Sequence, residues 1–194
     1  MSTTTLDASS LRQSDWLKRY YLTRAAFSIV WVAIAFALGT TNQAIASVLL
    51  VVYPAWDAAA NWVDGARSGG LARNRTQLTN VMASGLAALA VAIALKSGMN
   101  AVIAVIGAWA IVSGLLQLGT AAGRWKSQGA QWAMILSGAQ SALAGGLFLA
   151  QSRMDTPPTI ANVAGYAGVG ALYFLISGVW LVVARMRRGK QAAV

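Results

Sequence analysis

Apolar positions run along this chain in long blocks, and polar residues fall between the blocks more often than within them. Six blocks are long enough to cross a bilayer, at residues 20–39, 44–66, 77–95, 100–122, 129–151 and 159–185. A hydrocarbon core of roughly 30 Å takes about 20 residues of helix, so each block predicts one membrane span. The connections are short: Thr40 to Gln43, Arg67 to Thr76, Lys96 to Met99, Gly123 to Gln128 and Ser152 to Pro158. Links of this length force antiparallel neighbours and leave no room for a second domain. The expectation is an all-α, polytopic membrane protein. It has a polar cytoplasmic segment at 1–19, a six-helix bundle at 20–185 and a basic cytoplasmic tail at 186–194. The first fifteen residues, rich in Ser and Thr, read as disordered.

Composition sharpens this picture. Hydrophobic residues make up 57% of the 194 and charged residues only 10%, against about 25% in an ordinary soluble domain. There is no Glu, His or Cys, and the acids are Asp7, Asp15, Asp57, Asp64 and Asp155. Thiolate nucleophiles, imidazole bases, disulfides and the usual zinc ligands are therefore missing. No metal or cofactor is expected.

The net charge of +10 does not indicate nucleic acid, because the basic residues sit in short clusters between apolar blocks. Placing both termini in the cytoplasm puts Arg12, Lys18, Arg19, Arg24, Arg67, Arg73, Arg75, Arg124, Lys126, Arg185, Arg187, Arg188 and Lys190 inside. Only Lys96 and Arg153 are left outside, as the positive-inside bias requires. The expected location is a bacterial inner membrane, with the cytoplasmic basic turns on anionic headgroups. Trp16, Tyr20, Tyr21, Trp125 and Trp132 fall near the predicted interfaces, where amphipathic rings collect. Arg24, the following apolar run and Ala44-Ile45-Ala46 imitate a signal peptide. Another apolar helix follows, so the segment reads as uncleaved.

A repeat emerges when the helices are paired. The even helices share an aromatic residue, three spacers, a small polar residue and a small one: Tyr53…Asp57-Ala58, Trp109…Ser113-Gly114 and Tyr173…Ser177-Gly178. The odd helices carry a small pair near their starts, Ala25-Ala26, Ser84-Gly85 and Ser137-Gly138. Three antiparallel hairpins of common ancestry are the reading. In Trp109 to Gly114 with its basic turn, Gln131 to Gly138, and Tyr173 to Gly178, the chain resembles the HdeD-like proteins. These are small bacterial inner-membrane proteins built from short two-helix repeats. The resemblance spans about Arg24 to Arg187. It implies a six-helix membrane protein without a known catalytic site, and a link to acid stress known from the family's namesake. The chain departs from the pattern at Ala58, where glycine is usual, and in its polar Asp57/Asn61/Asp64 stripe.

That stripe is the first candidate site. Asp57, Asn61, Asp64 and Ser68 follow one another by four, three and four residues, which places them on one helix face. Asp57 falls near the bilayer centre, where an aspartate costs about 2.5–3.5 kcal/mol on the insertion scale. Pro54 should kink the same helix. Candidate partners are Ser113 and Ser177 at the equivalent repeat positions, Gln117 one turn further on, and Asn162 if the last helix brings it close. Three roles stay open: a neutral hydrogen-bonding residue joining helices two and four, a proton- or ion-binding group, and a salt bridge. The last role is the one helical spacing favours for Asp64 with Arg67.

Small residues give the second candidate feature. Gly138, Ala142 and Gly146 recur every fourth residue on the fifth helix, with Gly114 and Gly178 as further close-packing positions. Such faces serve packing within the chain or the seam of a homo-oligomer. Gly65 to Arg75 lacks the G-K-[ST] ending and preceding strand of a phosphate loop. The function expected is non-enzymatic, in acid or envelope stress resistance. The alternative is a small proton- or ion-coupled transporter or channel using Asp57.

Overall fold

The computed structural model describes residues 3–67, 69–124 and 131–191, and its regular elements are all helical. The helices are α1 (Thr3–Ile34), α2 (Gln43–Arg67), α3 (Arg75–Ala94), α4 (Met99–Arg124), α5 (Gln131–Gln151) and α6 (Ile160–Gln191). Five of them contain stretches long and apolar enough to cross a bilayer: Asp15–Gly39, Gln43–Arg67, Arg75–Ala94, Met99–Gly119 and Ile160–Val183. The protein is thus a multi-pass membrane protein. Helix α1 starts at Thr3, within the polar segment expected to be disordered. Extending a formed helix adds one backbone bond per residue fixed, so a polar sequence can continue what an apolar one nucleates.

Local chemistry explains where the helices begin and end. The last turn of α1 widens into a π-helical turn, Ala35–Gly39, in which the Thr40 N–H reaches the Ala35 carbonyl at 3.1 Å. Asn42 then caps α2, its side-chain oxygen accepting from the Ala44 and Ile45 amides at 3.0 and 3.1 Å. Asn74 caps α3 in the same way, through Gln77 N–H at 3.2 Å. These caps satisfy amides that have no partner within the helix. Gly69, Gly70 and Gly98 hold φ of 95°, 91° and 96°, a region that suits glycine because it lacks Cβ. They form the turns into α3 and α4. Helix α2 runs unbroken through Pro54, which is buried.

The chain divides into two compact units, Trp31–Ala167 and Met1–Val30 with Gly168–Val194. Within the second of these, Leu22 packs on Gly178, where a methyl carbon would lie 2.8 Å from its side chain. The Arg24 guanidinium sits 4.4 Å from the Phe174 ring centre and donates to the Tyr20 hydroxyl at 2.9 Å. Trp16, Tyr20 and Tyr21 form a chain of ring contacts ending on Phe174. Trp125 lies outside the described residues.

Within Trp31–Ala167, the backbones of α4 and α5 approach closely at two pairs of glycines. A methyl on Gly114 would lie 2.5 Å from the Gly138 carbonyl oxygen, and one on Gly145 would lie 2.5 Å from that of Gly107. The two glycines on each helix are seven residues apart, and both pairs mirror about the same point in the connecting turn. This is the antiparallel seam of a 3.5-residue repeat, in which each contact recurs every two turns. It corrects one packing expectation. Gly138 and Ala142 lie on the seam, but the next member is Gly145, while Gly146 faces open space. A strict four-residue step drifts off a seam that alternates four and three.

Candidate functional site

The polar residues of α2 do not stand alone in the bundle; they take part in one chain of hydrogen bonds crossing three helices. Asp57 Oδ2 accepts from Asn61 Nδ2 at 2.8 Å and from Ser84 Oγ at 2.7 Å. Ser84, on α3, is fully buried, and its oxygen accepts from Trp109 Nε1 of α4 at 3.0 Å. At the other end Gln77 Nε2 donates to Asn61 Oδ1 at 3.2 Å and to Asp64 Oδ2 at 2.9 Å.

The direction of every bond is fixed by chemistry. An indole N–H only donates, so Ser84 accepts there and gives its single proton to Asp57. The Asn61 amide nitrogen also donates to the Asp57 backbone carbonyl at 2.8 Å, which sets its orientation and leaves its oxygen for Gln77. Asn61, Ser84 and Gln77 thus each donate to an aspartate side-chain oxygen, and Trp109 reaches Asp57 through Ser84. The arrangement clamps α2 to α3 and, through Ser84, to α4.

The register of the clamp follows from the turn. Asp57 pairs with Ser84 and Asp64 with Gln77, and both pairs mirror about Gly70-Leu71. Leu71 folds back onto Gly65, where a side chain would collide with it, and the Gly70 N–H caps the Gly65 carbonyl at 3.0 Å. This tight closure sets the first residues of α3 opposite the last of α2. Beside the clamp, Trp31 and Tyr53 pack at 4.8 Å between ring centres, and Tyr53 meets Trp109 edge-on at 5.8 Å. Trp31 Nε1 donates to the Leu49 carbonyl at 2.9 Å, so its burial leaves no orphan polar atom.

Of the residues expected at the site, Asp57, Asn61 and Asp64 are joined, Asp64 through Gln77. The partner of Asp57 is Ser84 and not Ser113: the Ser113 hydroxyl is buried without a hydrogen-bond partner. Helix α4 reaches the network one turn earlier, through the Trp109 indole. No hydrogen bond joins Gln117 to the network among the described residues. Ser177 belongs to the other compact unit, and Asn162 bonds to Thr159 and Gln151 at the start of α6. Ser68 lies outside the described residues. Gln77 was missed by the sequence reading, although it follows the Asn74 cap by three residues and stands seven before Ser84. The described residues contain no group of His, Cys, Asp or Glu that could hold a metal ion.

The class of protein follows from this fold: a multi-pass helical membrane protein with a buried polar clamp. Residues 81–150, from α3 through α4 to the end of α5, match a short repeat of unknown function, DUF308. It is the repeat family to which HdeD-like membrane proteins belong. The matched stretch is less than half of the chain and takes in Ser84, Trp109 and the Gly114–Gly138 contact. No match was found among curated proteins or among solved structures.

Proposed function

We propose that the protein is a non-enzymatic component of a bacterial inner membrane acting in acid or envelope stress resistance, the role known for the namesake of the HdeD-like proteins that it resembles. Helix α5 is the sixth span, the helices form three antiparallel hairpin repeats, and both termini are cytoplasmic. The basic turns rest on anionic headgroups, and a second copy is a candidate partner; nucleic acid is not. The observation that carries this reading is the clamp itself: Asp57 is bonded by donors from α2 and α3, as expected of a scaffold residue. The absence of Glu, His and Cys supports a role without chemistry, since it removes the residue types that most often serve as acid–base pairs and activated nucleophiles.

The test is survival at low pH of a strain lacking the gene, complemented with wild type or Asp57→Asn. An amide keeps the shape of the carboxyl and can turn its oxygen toward Ser84 and Asn61. The variant should therefore fold and lose survival only in part. Full survival of the strain lacking the gene would remove the stress role. Complete loss with a normally folded Asp57→Asn protein would replace the scaffold with a proton- or ion-coupled transporter.

A further inference from the structure

Within the Trp31–Ala167 unit, a cleft of about 280 Å³ opens between the starts of α2, α4 and α6. Its lining grades from polar to apolar with depth. Thr40, Thr41, Gln43 and Thr159 form an exposed rim, whereas Leu50, Pro158 and Ile160 form a buried floor. Small residues keep the space open. Ala46 lines it from α2, and Gly98 lines it from the turn into α4, where a methyl would meet nothing within 4 Å. One wall is the end of the π-helical turn Ala35–Gly39, with the two threonines that follow it. Single π-helical turns are rare and recur at functional sites. Among the described residues, no charged side chain lines the cleft.

We infer that this cleft binds a small neutral amphiphile, a hydrocarbon tail carrying one O–H donor, as in an alcohol or an undissociated carboxylic acid. The tail takes the floor, where Leu50 and Ile160 remove it from water. The head takes the rim, which is built to accept. Thr40, Thr41 and Ser47 commit their hydroxyl protons to the Phe36, Leu38 and Gln43 carbonyls at 2.9, 3.2 and 2.8 Å. Each oxygen keeps lone pairs for an incoming donor. Gln43 adds a side-chain amide whose N–H groups suit the oxygen of the ligand. An ion would lose hydration here without meeting a counter-charge, so the lining selects a neutral molecule. An apolar cavity of about 150 Å³ holds a benzene, which scales this space to roughly eight to ten non-hydrogen atoms.

The site does not rest on the stress role, and photolabelling of the full-length chain in liposomes tests it without any cellular phenotype. The probe is octanol with a diazirine in its chain, and peptide mass spectrometry locates the labelled residues. Label should concentrate on Leu95, Met99 and Ile160, which line the cleft. Excess plain octanol should clear it from these positions but not from Leu86 and Leu89, which lie exposed on α3 and report nonsaturable uptake into lipid. Octanoic acid should compete at about pH 3.5 and lose roughly tenfold or more in potency at about pH 7, where its carboxyl is ionised. Ala46→Phe fills the cleft and should cut the cleft label roughly tenfold. Label spread evenly over cleft and α3, or left in place by excess octanol, overturns the site. Octanoate as potent at the higher pH as at the lower overturns the neutral ligand. A folded Ala46→Phe protein labelled like wild type overturns the location. If that variant does not fold, the octanol competition on wild type decides alone.

Discussion

Replacing Ser84 with Ala tests whether the clamp holds three helices or merely decorates two. The substitution deletes one oxygen and with it two bonds, Trp109 Nε1 to Ser84 and Ser84 to Asp57. In membrane bundles a single interhelical hydrogen bond is worth about 0.6 kcal/mol on average and at most about 1.7. Two bonds predict a loss of about 1–3 kcal/mol, with the upper part applying because the Trp109 indole is left buried without an acceptor. Trp109→Phe removes the same indole bond from the other side. If the bonds form a chain, the double variant should lose less than the two single variants combined, by more than the roughly 0.3–0.5 kcal/mol scatter of independent sites. Equilibrium unfolding in mixed micelles of mild detergent and dodecyl sulfate, followed by far-ultraviolet circular dichroism, measures all three. Ser113→Ala is the control, since its hydroxyl has no partner to lose, and it should match wild type. Ser84→Ala as stable as Ser113→Ala, or strictly additive losses, would refute the chain.

The seam between α4 and α5 gives a sharp pair: Gly145→Leu should lower the melting temperature in detergent, by a strain of about 1–3 kcal/mol or more, whereas Gly146→Leu should not. A methyl at Gly145 already reaches 2.5 Å from the Gly107 carbonyl, and one at Gly146 meets nothing within 4 Å. Equal melting of the two variants would place the seam elsewhere. Single cysteines at Thr41, Ser97 and Thr156, all exposed, should label with a membrane-impermeant maleimide on intact spheroplasts, while Ala72→Cys should not. Ser97 is preferable to Gly98, whose φ of 96° strains a cysteine. Strong labelling at Ala72 would invert the orientation.

Much of the helical framework was legible because hydropathy blocks and polar breaks report on bilayer thickness directly. The clamp was half legible. The spacing of Asp57, Asn61 and Asp64 marked one face of α2, but the search for partners followed repeat equivalence to Ser113 and Ser177. Spatial pairing obeys the turn instead. An antiparallel hairpin closing at Gly70-Leu71 sets Asp57 opposite Ser84 and Asp64 opposite Gln77, and all four positions are printed in the sequence at matching seven-residue intervals. The same mirror relation pairs Gly107 with Gly145 and Gly114 with Gly138, so Gly145 was recoverable where a four-residue step pointed to Gly146. The π-helical turn at Ala35–Gly39 had no sequence signal of this kind, since Ala, Phe and Leu serve an α-helix equally well.

An aspartate in this place is hard to justify by stability alone. Its insertion penalty of about 2.5–3.5 kcal/mol stands against two side-chain bonds worth about 1–3 kcal/mol together, which nearly balance. Asp57→Leu removes both the cost and the gain, and what it leaves behind decides the outcome. Asn61 keeps its bond to the residue-57 backbone carbonyl. The Ser84 hydroxyl can turn to the carbonyl four residues back, as serines in helices do, while still accepting from Trp109. No buried donor is orphaned, in contrast to Ser84→Ala. The expected order of stability is therefore Asp57→Leu equal to or above wild type, and Ser84→Ala below both, in the same micellar unfolding assay. If Asp57→Leu falls as far as Ser84→Ala, the carboxylate itself holds the helices. If the order is as expected, the Ser84–Trp109 bond supplies most of the clamp's net stability, and the Asp57 bonds little more than offset the cost of placing an acid there.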